Sequence, residues 1–131
     1  MASQNETSLR STYRRIDHLG ASRSGTALMW AQRVTSVALM ILTVAFVFLV
    51  WSMVGKDYVA VRQIMSKPLP ATIMLAYMLI GSYHMMLGIR VIIDDYVPGK
   101  HAREWAIVAN ILFCGAVAFL STYAILRIGF V

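Results

Sequence analysis

Residues Val34 to Val54 read VTSVALMILTVAFVFLVWSMV, 21 residues without a formal charge. A bilayer's hydrocarbon core takes about 20 apolar residues of helix to cross. Two more blocks of the same kind follow. Pro68 to Ile89 is uncharged except for His84, and its apolar character runs past Arg90 to Ile93. Trp105 to Leu126 is 22 residues without a charge. The blocks do not alternate polar with apolar, and they are too long and too few for a membrane barrel. Backbone groups in lipid must find their partners within each segment, which leaves helix. The fold class is therefore all-α integral membrane, with three transmembrane helices over roughly residues 30–54, 70–96 and 104–128.

Composition supports this from the outside. Of 131 residues, 59% are apolar and 14% charged, against about 45–50% and about 25% in soluble domains. Too few polar residues remain to cover a soluble domain of this size, which excludes an ordinary soluble enzyme and also disorder. Residues 1–18 form a polar arm and residues 19–131 the membrane domain. Leu19 to Gly25 is a Gly/Ser-rich lead into the first helix. No cleavable signal peptide is visible, because the first apolar block is too long and starts too late. Four arginines and several serines in residues 1–23 resemble a mitochondrial transit peptide, but Glu6 and Asp17 count against one. The balance favours a bacterial inner membrane over a mitochondrial one.

Three spans put the arm and the second loop on one side. That side carries Arg10, Arg14, Arg15, Arg23, Arg33, Arg90, Lys100 and Arg103, against Lys56, Arg62, Lys67 and Arg127 on the other. The positive-inside rule then predicts a cytoplasmic N-terminus and a periplasmic C-terminus. The net charge of +6 is spread over both sides without aromatic interleaving, so nucleic acid is not expected as a partner. Trp30, Trp51 and Trp105 fall near the span ends, as an aromatic belt requires. Between the first two spans, Tyr58 to Met65 reads as a short interfacial helix, with Val61, Ile64 and Met65 on one face and Arg62 and Gln63 off it. Pro68 and Pro70 mark the start of the second span, and Pro98-Gly99 a turn after it.

Within the spans a few residues stand out. The third carries a stripe at every fourth position, Ala106, Asn110, Cys114, Ala118 and Thr122, which reads as a packing face of small residues. Cys114 is the single cysteine, so neither an internal disulfide nor an iron–sulfur cluster is available. There is no glycine-rich phosphate loop or dinucleotide fingerprint. His84 lies near the middle of the second span, where an ionisable group is costly. It is either a neutral histidine bonded across a helix interface or a ligand. Gly81 and Gly88 lie within roughly 60° of its direction, leaving clearance for a flat group or for a closely packed helix. Asp95 returns to nearly the same face about 16 Å further along, with Tyr96 after it. They fit a solvated helix end or a site for a polar head group entering from lipid.

His84-Met-Met-Leu-Gly88 followed by Asp95-Tyr96-Val97 resembles the second-helix signature of the small membrane anchors of succinate dehydrogenase, respiratory complex II. In that family a glycine follows the histidine by four and Asp-Tyr by eleven and twelve. Gly25-Thr26, Trp30 and Gln32-Arg33-Val34-Thr35 look like the start of helix one in the bacterial D-type anchors. The resemblance covers residues 19–131.

It implies that His84 is an axial ligand of haem b, so that its metal is haem iron, with the other ligand from a second, cytochrome b-type anchor subunit. It implies that Tyr96 holds a carbonyl of ubiquinone, with Asp95 beside it. Arg33 would meet a haem propionate, or serve only as a positive-inside residue. His18 and His101 are expected to be loop residues. The catalytic dehydrogenase chemistry would reside in other chains, a flavoprotein and an iron–sulfur subunit, linking the tricarboxylic acid cycle to electron transport. Two rivals remain. One is a structural anchor without haem. The other is a small oligomeric transporter, disfavoured because no span contains an acidic residue for proton coupling.

Overall fold

The computed structural model describes residues 23–130. These form four helices: α1 (Arg23–Met53), α2 (Tyr58–Met65), α3 (Pro68–Tyr96) and α4 (Lys100–Phe130). Three of them contain stretches long and apolar enough to cross a membrane, Gly25–Met53, Pro68–Tyr96 and Lys100–Gly129. The expected spans are all present, each extended at one or both ends. The largest difference is at the start of α1, because helix already begins at Arg23, inside the stretch read as a Gly/Ser-rich lead. Residues 1–18, His18 among them, lie outside the described residues.

The chain divides at Trp30 into two units. Of the first, the described part is the opening turns of α1. The second, from Ala31 onward, holds the rest of α1 and the other three helices.

The turns follow local chemistry. Lys67 precedes α3 in extended conformation and proline occupies its first turn, where a missing N–H costs nothing and the fixed φ suits the helix. After α3, Val97 leaves the helix and Gly99 takes φ +89°, a left-handed value that glycine adopts without steric penalty. The next residue begins α4, with Arg103 N–H donating to the Gly99 carbonyl at 3.1 Å. Three residues thus reverse the chain, and α3 and α4 pack closely as antiparallel neighbours.

Their seam is the small-residue stripe. Asn110 and Cys114 are 6% and 2% exposed. Asn110 Nδ2 donates to the Met86 carbonyl of α3 at 2.9 Å, and Cys114 Sγ donates to Asn110 Oδ1 at 3.3 Å. A side-chain amide between two apolar helices satisfies itself on the neighbour's backbone, since lipid offers no alternative partner. Across the pair, Leu87, Ile93 and Ile125 are also buried.

The second interface joins α1 to α3 through longer side chains. Phe46 and Tyr77 stack with ring centroids 4.1 Å apart. Nearer the Arg23 end of α1, Leu39 faces Gly81, Thr35 faces His84 and Gln32 faces Gly88. Partner numbers fall on α3 as they rise on α1, so this pair is antiparallel too. Elsewhere α1 leaves Met40, Ile41, Phe48 and Trp51 exposed.

The helix α2 is the short amphipathic segment expected between the first two spans. Asp57 caps it, accepting from Ala60 N–H at 3.3 Å. Met65 is buried, Val61 and Ile64 are half-buried, and Arg62 and Gln63 are exposed, as the sequence predicted. Gly129 of α4 approaches its last turn so closely that an added Cβ would lie 3.2 Å from the Met65 carbonyl oxygen. The absence of a side chain there lets α2 seat against α4.

Candidate functional site around His84

His84 is the seventeenth of the 29 residues of α3. It is half-buried, and both ring nitrogens meet polar groups of α1. Nδ1 lies 2.8 Å from Thr35 Oγ1, and Nε2 lies 3.3 Å from Gln32 Nε2. Thr35 Oγ1 also donates to the Ala31 carbonyl at 2.8 Å.

These contacts fit a ring protonated at Nδ1. A hydroxyl has a single proton. With that proton on the Ala31 carbonyl, Thr35 accepts from His84, and the ring proton sits on Nδ1. Nε2 then carries a lone pair, which matches the amide N–H that Gln32 presents to it. The two contacts agree, because an Nδ1–H ring both donates to a hydroxyl and accepts from an amide. Gln32 Oε1, on the other side of the same amide, is buried without a hydrogen-bond partner.

The glycines beside His84 are not required by packing among the described residues. A Cβ at Gly81 would come 3.9 Å from Leu39 Cδ2, and one at Gly88 would come 3.6 Å from Gln32 Nε2. Both are ordinary van der Waals distances, so alanine would fit at either position. The contacts among the described residues therefore supply no steric reason for a bare surface on both sides of the imidazole.

The other expected residues lie apart from this network. Asp95 and Tyr96 are in the last turn of α3, about 16–18 Å along the axis from His84. Both are exposed, Tyr96 at 79%, and neither side chain has a partner among the described residues. The adjacent Asp94 differs, since Arg90 Nε lies 3.9 Å from its carboxylate. Arg33 is exposed and follows Gln32 on α1, without an ion pair among the described residues. His101, expected in a loop, instead lies exposed in the first turn of α4, because the helix starts directly after Gly99, and its Nδ1 is 3.9 Å from Glu104. No group of three or more metal-ligating side chains occurs among the described residues, so a metal at His84 needs its remaining ligands from elsewhere.

Gln32 and Thr35 had no role in the reading of His84 from sequence, although both fall within a quoted motif. The available signal was their spacing. Two polar residues three apart share a helix face, and here that face opens an otherwise apolar span.

The sequence pattern described as succinate dehydrogenase/fumarate reductase transmembrane subunit matches residues 7–122. The chain is 34% identical over 111 residues to a succinate dehydrogenase hydrophobic membrane anchor subunit of Paracoccus denitrificans, covering 85% of each chain. It is 32% identical over 94 residues to the protein of that name in Rickettsia felis, covering 72% of this chain and 78% of the relative. The corresponding protein of Rickettsia typhi is 31% identical over 94 residues, 72% of this chain and 75% of the relative. No solved structure gives a significant match. With three membrane-length helices and a family match over most of its length, the chain belongs to the transmembrane subunits of succinate dehydrogenase and fumarate reductase.

Proposed function

We propose that this chain is the D-type membrane anchor of succinate:ubiquinone oxidoreductase, that His84 is an axial ligand of a haem b shared with a second anchor subunit, and that Tyr96 and Asp95 contribute to a ubiquinone site. The carrying observation is the hydrogen-bonded state of His84. An iron-ligating histidine needs a lone pair on one nitrogen and a hydrogen bond from the other that fixes tautomer and ring direction. With its own proton on the Ala31 carbonyl, Thr35 would supply the second and leave Nε2 as the first. The contact to be exchanged for iron is the longer one, 3.3 Å to Gln32.

Gly81 and Gly88 add to this. A flat macrocycle beside the imidazole gives a reason for two glycines that packing among the described residues does not need. Arg33, free of any acid among the described residues, is available to a propionate. Bound there, haem b supplies a one-electron centre whose potential depends on its ligands and their hydrogen bonds. This chain's residues hold the ligand ring and limit its rotation.

At the boundary, the Tyr96 hydroxyl and the Asp95 carboxylate have no partner among the described residues. A fixed donor stabilises charge developing on a quinone oxygen, and an adjacent carboxylate can take up a proton from water and pass it on. The loop-charge asymmetry supports a cytoplasmic N-terminus, which puts Asp95 and Tyr96 at the cytoplasmic face of a bacterial inner membrane. Flavoprotein, iron–sulfur and cytochrome b-type subunits complete the assembly.

The rival reading, a structural histidine, would be served by the same two hydrogen bonds. A reduced-minus-oxidised spectrum separates them. The complex purified through this chain is expected to show a b-type band, lost in His84→Ala while the flavoprotein still copurifies. A wild-type complex with flavoprotein and no haem band would favour the structural anchor.

A further inference from the structure

At the α2 end of the bundle, opposite Asp95 and Tyr96, a cavity of about 430 Å³ is lined by Tyr58, Arg62, Tyr123, Ala124, Arg127 and Ile128. We propose that it binds the anionic phosphodiester headgroup of a membrane phospholipid. Each wall carries a tyrosine and, one helical turn later, an arginine: Tyr58 and Arg62 on α2, Tyr123 and Arg127 on α4. Residues four apart share a helix face, so both pairs turn toward the same space.

Neither arginine side chain has an ion pair or hydrogen bond among the described residues. Of the described acids, Asp94, Asp95 and Glu104 lie at the opposite end of the bundle, and Asp57, next to Tyr58, caps α2. Two exposed guanidinium groups line one cavity, and an anion between them gains from both. A phosphate is well matched, because guanidinium binds it through paired, charge-assisted hydrogen bonds, and the two phenols add further donors.

Position favours lipid over a free anion. Arg127 lies near the end of the third span and α2 lies in the interface, the level at which headgroup phosphates sit. Ala124 and Ile128 add apolar lining from α4, suited to the first carbons of acyl chains. The close seating of Gly129 against Met65 holds the two walls together. This inference needs only that the chain is membrane-embedded, so it stands apart from haem and quinone binding.

The test counts phospholipid retained by the intact complex in mild detergent, by native mass spectrometry, for wild type and Arg62→Gln/Arg127→Gln. Wild type is expected to retain a phospholipid that the double variant holds about 30-fold more weakly, from roughly fivefold per arginine at a membrane surface. Phosphatidylglycerol added back to delipidated wild type should rebind, and phosphatidylcholine should not. Equal retention in wild type and variant would overturn the proposal. So would displacement by millimolar inorganic phosphate, which would mark a free-anion site. Loss of a partner subunit with lipid content unchanged would assign the arginines to a protein interface instead. If the arginine variant does not accumulate, Tyr58→Phe/Tyr123→Phe decides, with severalfold weaker retention expected and unchanged retention counting against the site.

Discussion

His84 is held by two α1 side chains, and they have different work. Gln32 offers a long contact to the nitrogen that iron would take. Thr35 fixes the ring from the other side at 2.8 Å. Thr35→Val keeps the branched shape but removes the hydroxyl that bonds Nδ1, so the ring loses a contact that fixes its orientation. Loss of such a hydrogen bond behind a metal ligand costs about 10–100-fold in affinity. Thr35→Val is therefore expected to lower haem retention on dilution by about that factor, with Thr35→Ser restoring it. Equal haem loss in the valine and serine variants would show that the methyl, not the hydroxyl, matters. His84 could be singled out from sequence because an ionisable group in an apolar block is conspicuous. Thr35 could not, because threonines in membrane helices commonly bond to their own backbone. Thr35 does so through Ala31, and only the antiparallel register of α1 and α3 brings its oxygen to the imidazole as well.

Helix pairing is governed by different residues at the two interfaces of α3. Against α4, small residues allow close approach and Asn110 crosses the seam to the Met86 carbonyl. Against α1, contact is made by Phe46 on Tyr77 and by the polar pair on His84. The α4 stripe was legible from its spacing of four, because a helix facing one neighbour repeats its small residues along one line. The bonding direction of Asn110 was not, since it depends on where Met86 stands. Interhelical hydrogen bonds in membrane proteins contribute roughly 0.6 kcal/mol on average and up to about 1.7 kcal/mol. Asn110→Ala removes this bond and the acceptor of Cys114, both at a buried position. It is expected to destabilise the bundle by roughly 1 kcal/mol, read as a lower midpoint when the purified anchor pair is unfolded by dodecyl sulfate in mixed micelles. An unchanged midpoint would mean that the stripe holds α3 and α4 together by shape alone.

Taken as a whole, the molecule has polar chemistry at two ends and in one internal layer. One end holds Asp95 and Tyr96, the other Arg62 and Arg127, and the internal layer is His84 with its α1 partners. The expected order of these along the membrane normal rests on the sequence count of eight cations on the side of the α3–α4 connection against four on the other. The number of spans was evident from apolar block length, because crossing lipid sets a minimum. The length of each helix was not, because α1 and α4 continue as helix into sequence too polar to lie in the hydrocarbon core. Orientation is tested with single cysteines in a Cys114→Ser background. Lys100→Cys at the start of α4 and Gly55→Cys between α1 and α2 lie at opposite ends of the bundle. In intact spheroplasts, a membrane-impermeant maleimide is expected to label position 55 and to reach position 100 only after lysis. The reverse pattern would overturn the charge rule for this chain and, with it, the cytoplasmic placement of Asp95 and Tyr96 from which quinone protonation is argued.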